Sequence, residues 1–310
     1  MLPCDHKMAF YMKNHFFLPT LLLVVSVQVV AQDLAPTKVH VNGVVLHYIE
    51  RGQGEPLILL HGGVGDYSSW RVQVDSFSHQ YRVVSYSRRY NYPNGNPSRA
   101  KNYSAYVDAK DLAAFIRELK LHRVHLVGLS AGALTALVFA VQHPEMVNSL
   151  VLAEPPVHEW VKDFPGGGIV YKEFMTRVWG PVTKAFRQGD TVQAMRTFVD
   201  GLSGVRRFDH LAPEARSSIL RNARAIEALT RSSDPFSKLS REQVRGLDIP
   251  CLIVTGENTI TIHKLVDEEL ARLLPNAKQA VIPNAGHGSP RDNPISFDRK
   301  VLEFLTGLRK

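Results

Sequence analysis

Between residues 124 and 132 an apolar run, Val124-His125-Leu126-Val127, passes without a loop into Gly128-Leu129-Ser130-Ala131-Gly132, and an alanine-rich segment comes directly after. Few folds accept that succession. The run has the pattern of a strand buried on both faces, and the alanine-rich segment reads as a helix. Turning from one to the other within a single residue puts Ser130 in a strained backbone. Strand and helix can cross there only if the flanking positions lack bulk, and Gly128, Gly132 and the small Ala133 meet that need. The helix also brings the partial positive charge of its N-terminus to the serine. Gly-x-Ser-x-Gly between strand and helix is the setting of a nucleophilic serine. The plain structural alternative is a serine that only caps the helix.

The remaining composition is that of a globular chain with ample length for a core: 310 residues, 45% hydrophobic and 21% charged. The formal net charge is +8, yet the basic residues are dispersed, with only short pairs such as Arg88-Arg89 and Arg206-Arg207. A solvated basic surface is expected and no nucleic-acid partner. Residues 1–31 read as an export signal. Lys7 and Lys13 precede an apolar stretch over 16–30, broken by Pro19, and Val29-Val30-Ala31 offers small residues before Gln32. The stretch is short for a spanning helix, which needs roughly 20 residues. The expectation is therefore a secreted or periplasmic protein with no stable membrane insertion after cleavage; an uncleaved anchor is the alternative. Cleavage would remove Cys4 and leave Cys251, in an apolar strand, as a buried small hydrophobe with no disulfide partner.

Along the chain, Asn42-Gly43 marks a hairpin. Strands are expected at 57–60, 81–86, 124–129, 149–153, 251–255 and 280–282, with helices at 67–77, 102–121, from the serine to about 143, 262–274 and 294–308. Alternation of this kind predicts an α/β fold, a mostly parallel sheet with helices on both faces. Residues 155–247 break the rhythm. They hold no convincing strand, and helices are expected near 170–187, 191–202 and 213–230. Asp190 with Gln193, and Ser240 with Gln243, fit capping boxes. The chain thus divides into a signal (1–31), a core (32–154 and 248–310) and a helical insertion (155–247) lying over the end of the sheet. Gly166-Gly167-Gly168 reads as a flexible joint of that lid.

A serine nucleophile needs a base within hydrogen-bond reach, usually histidine. Of thirteen histidines, His287 is singled out: it comes after a strand, sits between two glycines, and lies beyond both Ser130 and the insertion. Acyl transfer also needs backbone donors for the oxyanion. Ala131, next after the serine, supplies one, and Gly63 in His61-Gly62-Gly63, after an earlier strand, supplies the other.

Taken in order, residues 57–63, the turn at 128–132 and Pro283-Asn284-Ala285-Gly286-His287-Gly288 resemble the α/β-hydrolase superfamily, and the helical segment resembles its cap domain, inserted after the sixth strand. The resemblance implies an eight-stranded sheet, no cofactor and no metal, and a Ser-His-acid triad beneath the cap. The family commonly sets its acid three residues beyond the glycine that closes the strand at 251–255. Here that position is Thr259, which cannot be an anion. Glu257 lies close by, and Glu154 ends the strand after the serine, where some branches of the family carry their acid. A glutamate preceding Pro155-Pro156 at an apolar strand end is costly to bury without a partner, and a histidinium would be one. Glu154 is the expected acid, and Glu257 the alternative. Epoxide hydrolases and haloalkane dehalogenases of the family need Asp where this chain has Ser130, and its carbon–carbon bond hydrolases often carry Trp where it has Gly288. The expectation is a serine hydrolase cleaving a small, mostly apolar ester or lactone through an acyl-enzyme. Trp160, Phe164, Phe174 and Trp179 are the candidate pocket walls. The other readings are a catalytically weak ligand sensor and a C–C bond hydrolase or amidase.

Overall fold

Asn42 and Gly43 both take positive φ, 46° and 73°, the geometry of the tight turn that suits the twist of paired strands. They join β1 (Thr37–Val41) to β2 (Val44–Arg51). The computed structural model describes residues 35–97, 102–274 and 276–309; the segment read as a signal, with Cys4, lies outside them. The next elements alternate: β3 (Pro56–Leu60), α1 (Arg71–Phe77), β4 (Arg82–Tyr86), α2 (Ala105–Glu118), β5 (Val124–Leu129), α3 (Ala131–Gln142) and β6 (Val147–Ala153). After the insertion come β7 (Cys251–Gly256), α10 (Thr261–Leu273), β8 (Ala277–Ile282), α11 (Ser289–Asp292) and α12 (Pro294–Gly307).

The eight strands form one sheet in the order β1-β2-β4-β3-β5-β6-β7-β8. β1 and β2 pair antiparallel, as do β2 and β4, and every later pairing is parallel. Central strands read as unbroken apolar runs because both faces are covered. One face packs Leu57, Leu59, Val127 and Val254 against Trp70 and Val74 from the α1 region and Phe297 and Val301 of α12. The other packs Ile58, Leu126 and Leu152 against Phe115 of α2, Leu137 of α3 and Val266 of α10. Cys251 is buried in β7, where burial pushes its thiol well above the usual range. Among the described residues no helix is long and apolar enough to cross a membrane.

The crossing at the serine is as tight as its glycines imply. A Cβ on Gly128 would lie 2.6 Å from the Ala133 backbone, and one on Gly132 would lie 2.2 Å from the Leu60 carbonyl oxygen.

The insertion is helical: α4 (Gly167–Phe174), α5 (Gly180–Arg187), α6 (Thr191–Ser203), α7 (Pro213–Arg221), α8 (Ala223–Thr230) and α9 (Arg241–Arg245). The single helix expected over 170–187 is α4 and α5 joined by a π-helical turn at Met175–Trp179. The one expected over 213–230 is broken at Asn222, for a polar reason. Its amide donates to Asp66 Oδ2 at 3.0 Å and accepts the Tyr92 N–H at 2.8 Å, and Arg221 adds a second bond to Asp66 at 2.8 Å. Ser240 and Gln243 make the expected reciprocal box, whereas Gln193 turns its side chain to Thr197 and leaves only the half from Asp190. The glycine triplet is no loose joint. Gly166 caps α4 at φ 74°, and a Cβ on Gly167 would fall 1.9 Å from the Val161 carbonyl oxygen.

Gly132→Ala is expected to cost about 1–3 kcal/mol, because backbone on both sides must move. Gly168→Ala has open space around its Cβ and is expected to be neutral or to stabilise by about 0.4–1 kcal/mol. Urea denaturation midpoints of the two variants check this contrast.

Candidate active site

Ser130 stands between β5 and α3 with φ 53° and ψ −122°. Holding a residue other than glycine there costs of order 1–3 kcal/mol and needs external support. Part of that support is a 2.7 Å hydrogen bond from the Ser130 N–H to the carbonyl of Ala153, the last residue of β6. The next residue, Glu154, is itself at φ 51°. Two strained residues on adjacent strand ends are thus tied back to back.

Glu154 has no solvent exposure. Its Oε1 accepts the Gly256 N–H at 2.8 Å, and its Oε2 accepts the Thr259 hydroxyl at 2.7 Å. His287 Nδ1 lies 2.6 Å from the same Oε2, and His263 Nδ1 lies 3.2 Å from it. Burial alone would raise the carboxyl pKa; the hydrogen bonds from His263 and His287 outweigh it and hold Glu154 well below the usual carboxylate range. Gly256 has to be glycine, since a Cβ would meet the Gly286 carbonyl oxygen at 2.2 Å, and Asn258 N–H pins the Ala285 carbonyl at 2.8 Å. These contacts bring the loop carrying His287 onto the end of β7. A carboxylate only accepts, so His287 Nδ1 carries the proton and Nε2 keeps its lone pair. That Nε2 is buried with no partner among the described residues, and the ring lines a cavity together with Ser130, Gly62 and Gly63.

The two glutamates are placed differently. Glu257 accepts the Asn284 N–H at 2.8 Å on the exposed side of the turn. Thr259, at the position where the family commonly sets its acid, donates to the carboxylate of Glu154, the acid expected from the sequence.

Beneath His287 lies a second ring. His263 stacks on it at 4.2 Å between centroids, and His158 continues the column 5.5 Å from His263. Burial, with His287 beside it, lowers the His263 pKa to about 4, so the ring is neutral at pH 7. Among the described residues Glu154, His263 and His287 have ligand atoms within 4.8 Å of one another, a donor set suited to a divalent cation. Both Nδ1 atoms are nonetheless engaged with Glu154 Oε2, and hydrogen bonding accounts for the cluster.

Gly63 and Ala131 line a second cavity that also opens onto Ser130. The loop carrying Gly63 is held by its carbonyls. Arg88 Nη2 donates to the Gly62 carbonyl at 3.2 Å, and Asn91 Nδ2 donates to those of Gly63 and Gly65 at 3.0 and 2.8 Å. His61 Nε2 accepts the Arg88 N–H at 3.0 Å, so its Nδ1–H donates to the Gly62 carbonyl at 2.7 Å. Burial and then Arg88 lower the His61 pKa to about 3. Arg88 was expected on a solvated basic surface; it is instead 2% exposed, paired with Asp108 at 2.6 Å, and Tyr103 donates to the same carboxylate. Its neighbour Arg89 pairs with Asp111. Asp108 and Asp111 fall on the buried face of α2 with Leu112 and Phe115, an oddity visible in the helical spacing, although the spacing does not name Arg88 and Arg89 as their partners.

Of the four expected pocket walls, Phe174 and Trp179 line the cavity beside Ala131. Trp160 and Phe164 do not line the cavities at Ser130. Trp160 donates to the Leu239 carbonyl at 2.8 Å under Arg241, and Phe164 packs against Gly167. Both serve the insertion's own packing. The same cavity holds polar groups that sequence reasoning did not single out. Among the described residues His158, 1% exposed, has neither ring nitrogen partnered, and Arg88 Nε and Asp108 Oδ1 are also buried without partners. Each such group costs ~1–3 kcal/mol while it stays unpaired.

Comparison with known proteins agrees with this architecture. Residues 55–294 match the family model described as alpha/beta hydrolase fold. Epoxide hydrolase 3 of Xenopus tropicalis is 27% identical over 278 residues, covering 85% of this chain and 75% of that protein. The 2-hydroxy-6-oxo-6-(2'-aminophenyl)hexa-2,4-dienoic acid hydrolase of Metapseudomonas resinovorans is 26% identical over 286 residues, covering 86% and 90%. Among solved structures, the carboxylesterase CesB of Bacillus subtilis superimposes with a TM-score of 0.70 at 22% identity, covering 89% of this chain and 92% of that one.

The depressed histidines make acid stability a test of the buried network. His61 and His263, with pKa values of about 3 and 4, are neutral in the folded state near pH 5, and burial lowers His158 in the same direction. In the unfolded chain all three titrate near 6.5. Unfolding therefore takes up protons, so the stability contributed by the neutral rings is full above about pH 6.5 and falls as the pH drops toward 4. An uptake of about two protons from His61 and His263, with His158 adding in the same direction, is expected at pH 5 and is opposed by release from the raised Asp108 and Asp267 carboxyls; the share of His263 is measured as the change in the pH slope of the urea unfolding free energy in His263→Gln. A slope unchanged by His263→Gln between pH 6.5 and 5 would mean that the His263 ring is solvated in the folded protein.

Proposed function

Because the chain belongs to the α/β-hydrolase family, we propose that it is a serine hydrolase that cleaves a small, mostly apolar ester or lactone through an acyl-enzyme. That it is a hydrolase follows from its relatives; the substrate class and the residue roles are the proposal. The observation that carries them is the 2.6 Å contact of His287 Nδ1 with Glu154, which leaves Nε2 free in the cavity that Ser130 lines.

In this mechanism Ser130 Oγ attacks the acyl carbon while His287 Nε2 takes its proton, and the Glu154 carboxylate stabilises the imidazolium that forms. The oxyanion is received by the N–H groups of Gly63 and Ala131, each such donor being worth ~10²–10³ in turnover. Collapse expels the alcohol, which leaves with the proton from His287. Water then repeats the sequence on the acyl-enzyme. Arg88, His61 and Asn91 act at one remove, by fixing the carbonyls of the Gly62-Gly63 loop so that its N–H groups can face the substrate. An export signal in residues 1–31 goes with this reading and would place the substrate outside the cytoplasm.

The likeness to an epoxide hydrolase does not carry over to chemistry. Opening an epoxide through an alkyl-enzyme uses a carboxylate nucleophile, and this chain has Ser130. The carbon–carbon bond reading is favoured by relatives such as the hydrolase from Metapseudomonas resinovorans. A substrate panel containing both an ester series and a vinylogous diketone separates the two.

Ser130→Ala is expected to abolish hydrolysis of short-chain nitrophenyl esters and labelling by a fluorophosphonate probe; equal activity in both proteins removes the proposal. Glu154→Gln is expected to lower kcat by ~10⁴, as for a triad acid turned to an amide. Glu257→Gln is expected to stay within about twofold, since its carboxylate serves a surface turn. Loss of activity in Glu257→Gln alone would reverse the assignment of the acid.

A further inference from the structure

Two cavities meet at Ser130 and Gly63. His287 lines the second, so the leaving group, which must take the proton from its Nε2, belongs there. The acyl chain is left with the first, beside Ala131. That cavity is walled by Leu134, Phe174, Trp179, Ile226 and Phe236, which suits a hydrocarbon. Set among these walls is His158, 1% exposed, with both ring nitrogens buried and without partners among the described residues. Its ring is held by Phe174 at 4.6 Å, Phe236 at 5.1 Å and His263 at 5.5 Å. Nothing in that setting needs an imidazole rather than a phenyl ring. Buried polar groups without partners in a binding cavity are the places where a ligand completes the hydrogen bonding.

The charge on the lining selects among polar ligands. Arg88 is matched by Asp108 at 2.6 Å, and among the described residues the two leave one orphan donor, Arg88 Nε, and one orphan acceptor, Asp108 Oδ1. Burial, reinforced by the neighbouring His263 and His287, lowers the His158 pKa well below its usual value and keeps that ring neutral. The lining therefore carries no surplus positive charge, and a carboxylate on the acyl chain would be desolvated without compensation.

Resting on the reading of the chain as a serine hydrolase, we propose that this cavity selects acyl chains bearing an uncharged oxygen, a hydroxyl or a ketone, which hydrogen-bonds to His158. His158 is then a specificity-determining residue and takes no part in the acyl-transfer chemistry.

The test uses nitrophenyl esters of hexanoic acid, of hexanoic acids with a ketone at successive chain carbons, and of the six-carbon dicarboxylic acid as its monoester. The wild-type protein is expected to show the highest kcat/KM for one of the ketone esters and the lowest for the carboxylate ester. His158→Phe is expected to lower the ratio of the best ketone ester to plain hexanoate by about fivefold or more, the worth of one hydrogen bond, and His158→Gln, which keeps a donor and an acceptor, to restore at least half of that ratio. A purely structural role for His158 would lower kcat/KM for both esters together and leave the ratio in place. A ratio in His158→Phe that falls by less than fivefold overturns the proposal. Should that variant not fold, the wild-type ratio decides, and a value of one or less overturns the proposal as well. Turnover with an unmoved ratio defeats this inference alone, whereas no turnover of any ester by the wild-type protein defeats the hydrolase reading and this inference with it.

Discussion

A carboxylate with no exposure to water organises the candidate site. Taking the Glu154 charge out of solvent costs several kcal/mol by itself, and the fold offsets it with four donors drawn from separate parts of the chain. Gly256 ends β7, Thr259 lies in the turn before α10, His263 is in the first turn of α10, and His287 comes from the loop after β8. The donors come from the end of β7, the turn into α10, α10 itself and the loop after β8, so the anion acts as a common anchor for these C-terminal segments of the core. The strain at Glu154 and Ser130 belongs to the same device. The hydrogen bond from Ser130 N–H to the Ala153 carbonyl ties the position of the serine to that of the acid, and a shift in either strand end would be felt at both.

Polar burial recurs on the other side of the serine with a different purpose. Arg88, His61 and Asn91 occupy the carbonyls of the loop from Gly62 to Gly65. Asp66, just beyond that loop, holds Arg221 and Asn222 of the insertion. The loop proposed to receive the oxyanion is therefore braced from the β4 exit on one side and from the helical insertion on the other. A change in either support would reach that loop without touching the serine. The column of stacked imidazoles adds a third brace, because His263 supports the His287 ring from beneath while sharing its carboxylate.

Much of this was legible before the fold was known. Alternating apolar runs and helical periodicity located the strands and most helices, and the tight glycines around Ser130 announced a crossing that the backbone distances bear out. His287 stood out because glycines flank it after a strand. Other residues were hidden. Arg88 looked like half of a solvated pair, yet it is buried because Asp108, on a helix later in the chain, faces it. His263 looked like an ordinary helical residue, and His158 carried no motif. Polar residues of this kind reveal their role only through a partner, and the partner is set by packing. The split of the expected helix at Asn222 has the same origin, a hydrogen bond to Asp66 with a separation of 156 residues.

The sequence by itself determined the α/β class, the sharp turn at Ser130, and the loops that end in Gly63 and His287, because periodicity, glycine placement and turn chemistry act over a few neighbouring residues. It also reduced the acid to two glutamates. Which of them faces the histidine was decided by tertiary structure alone. Glu257 is nearer to His287 in sequence, but the turn that carries it directs its carboxylate to the Asn284 backbone. Glu154 is 133 residues away and arrives through the pairing of β6 with β7. Strand order is a property of the whole sheet, and the contact that joins Glu154 to His287 exists only once β6 and β7 have paired.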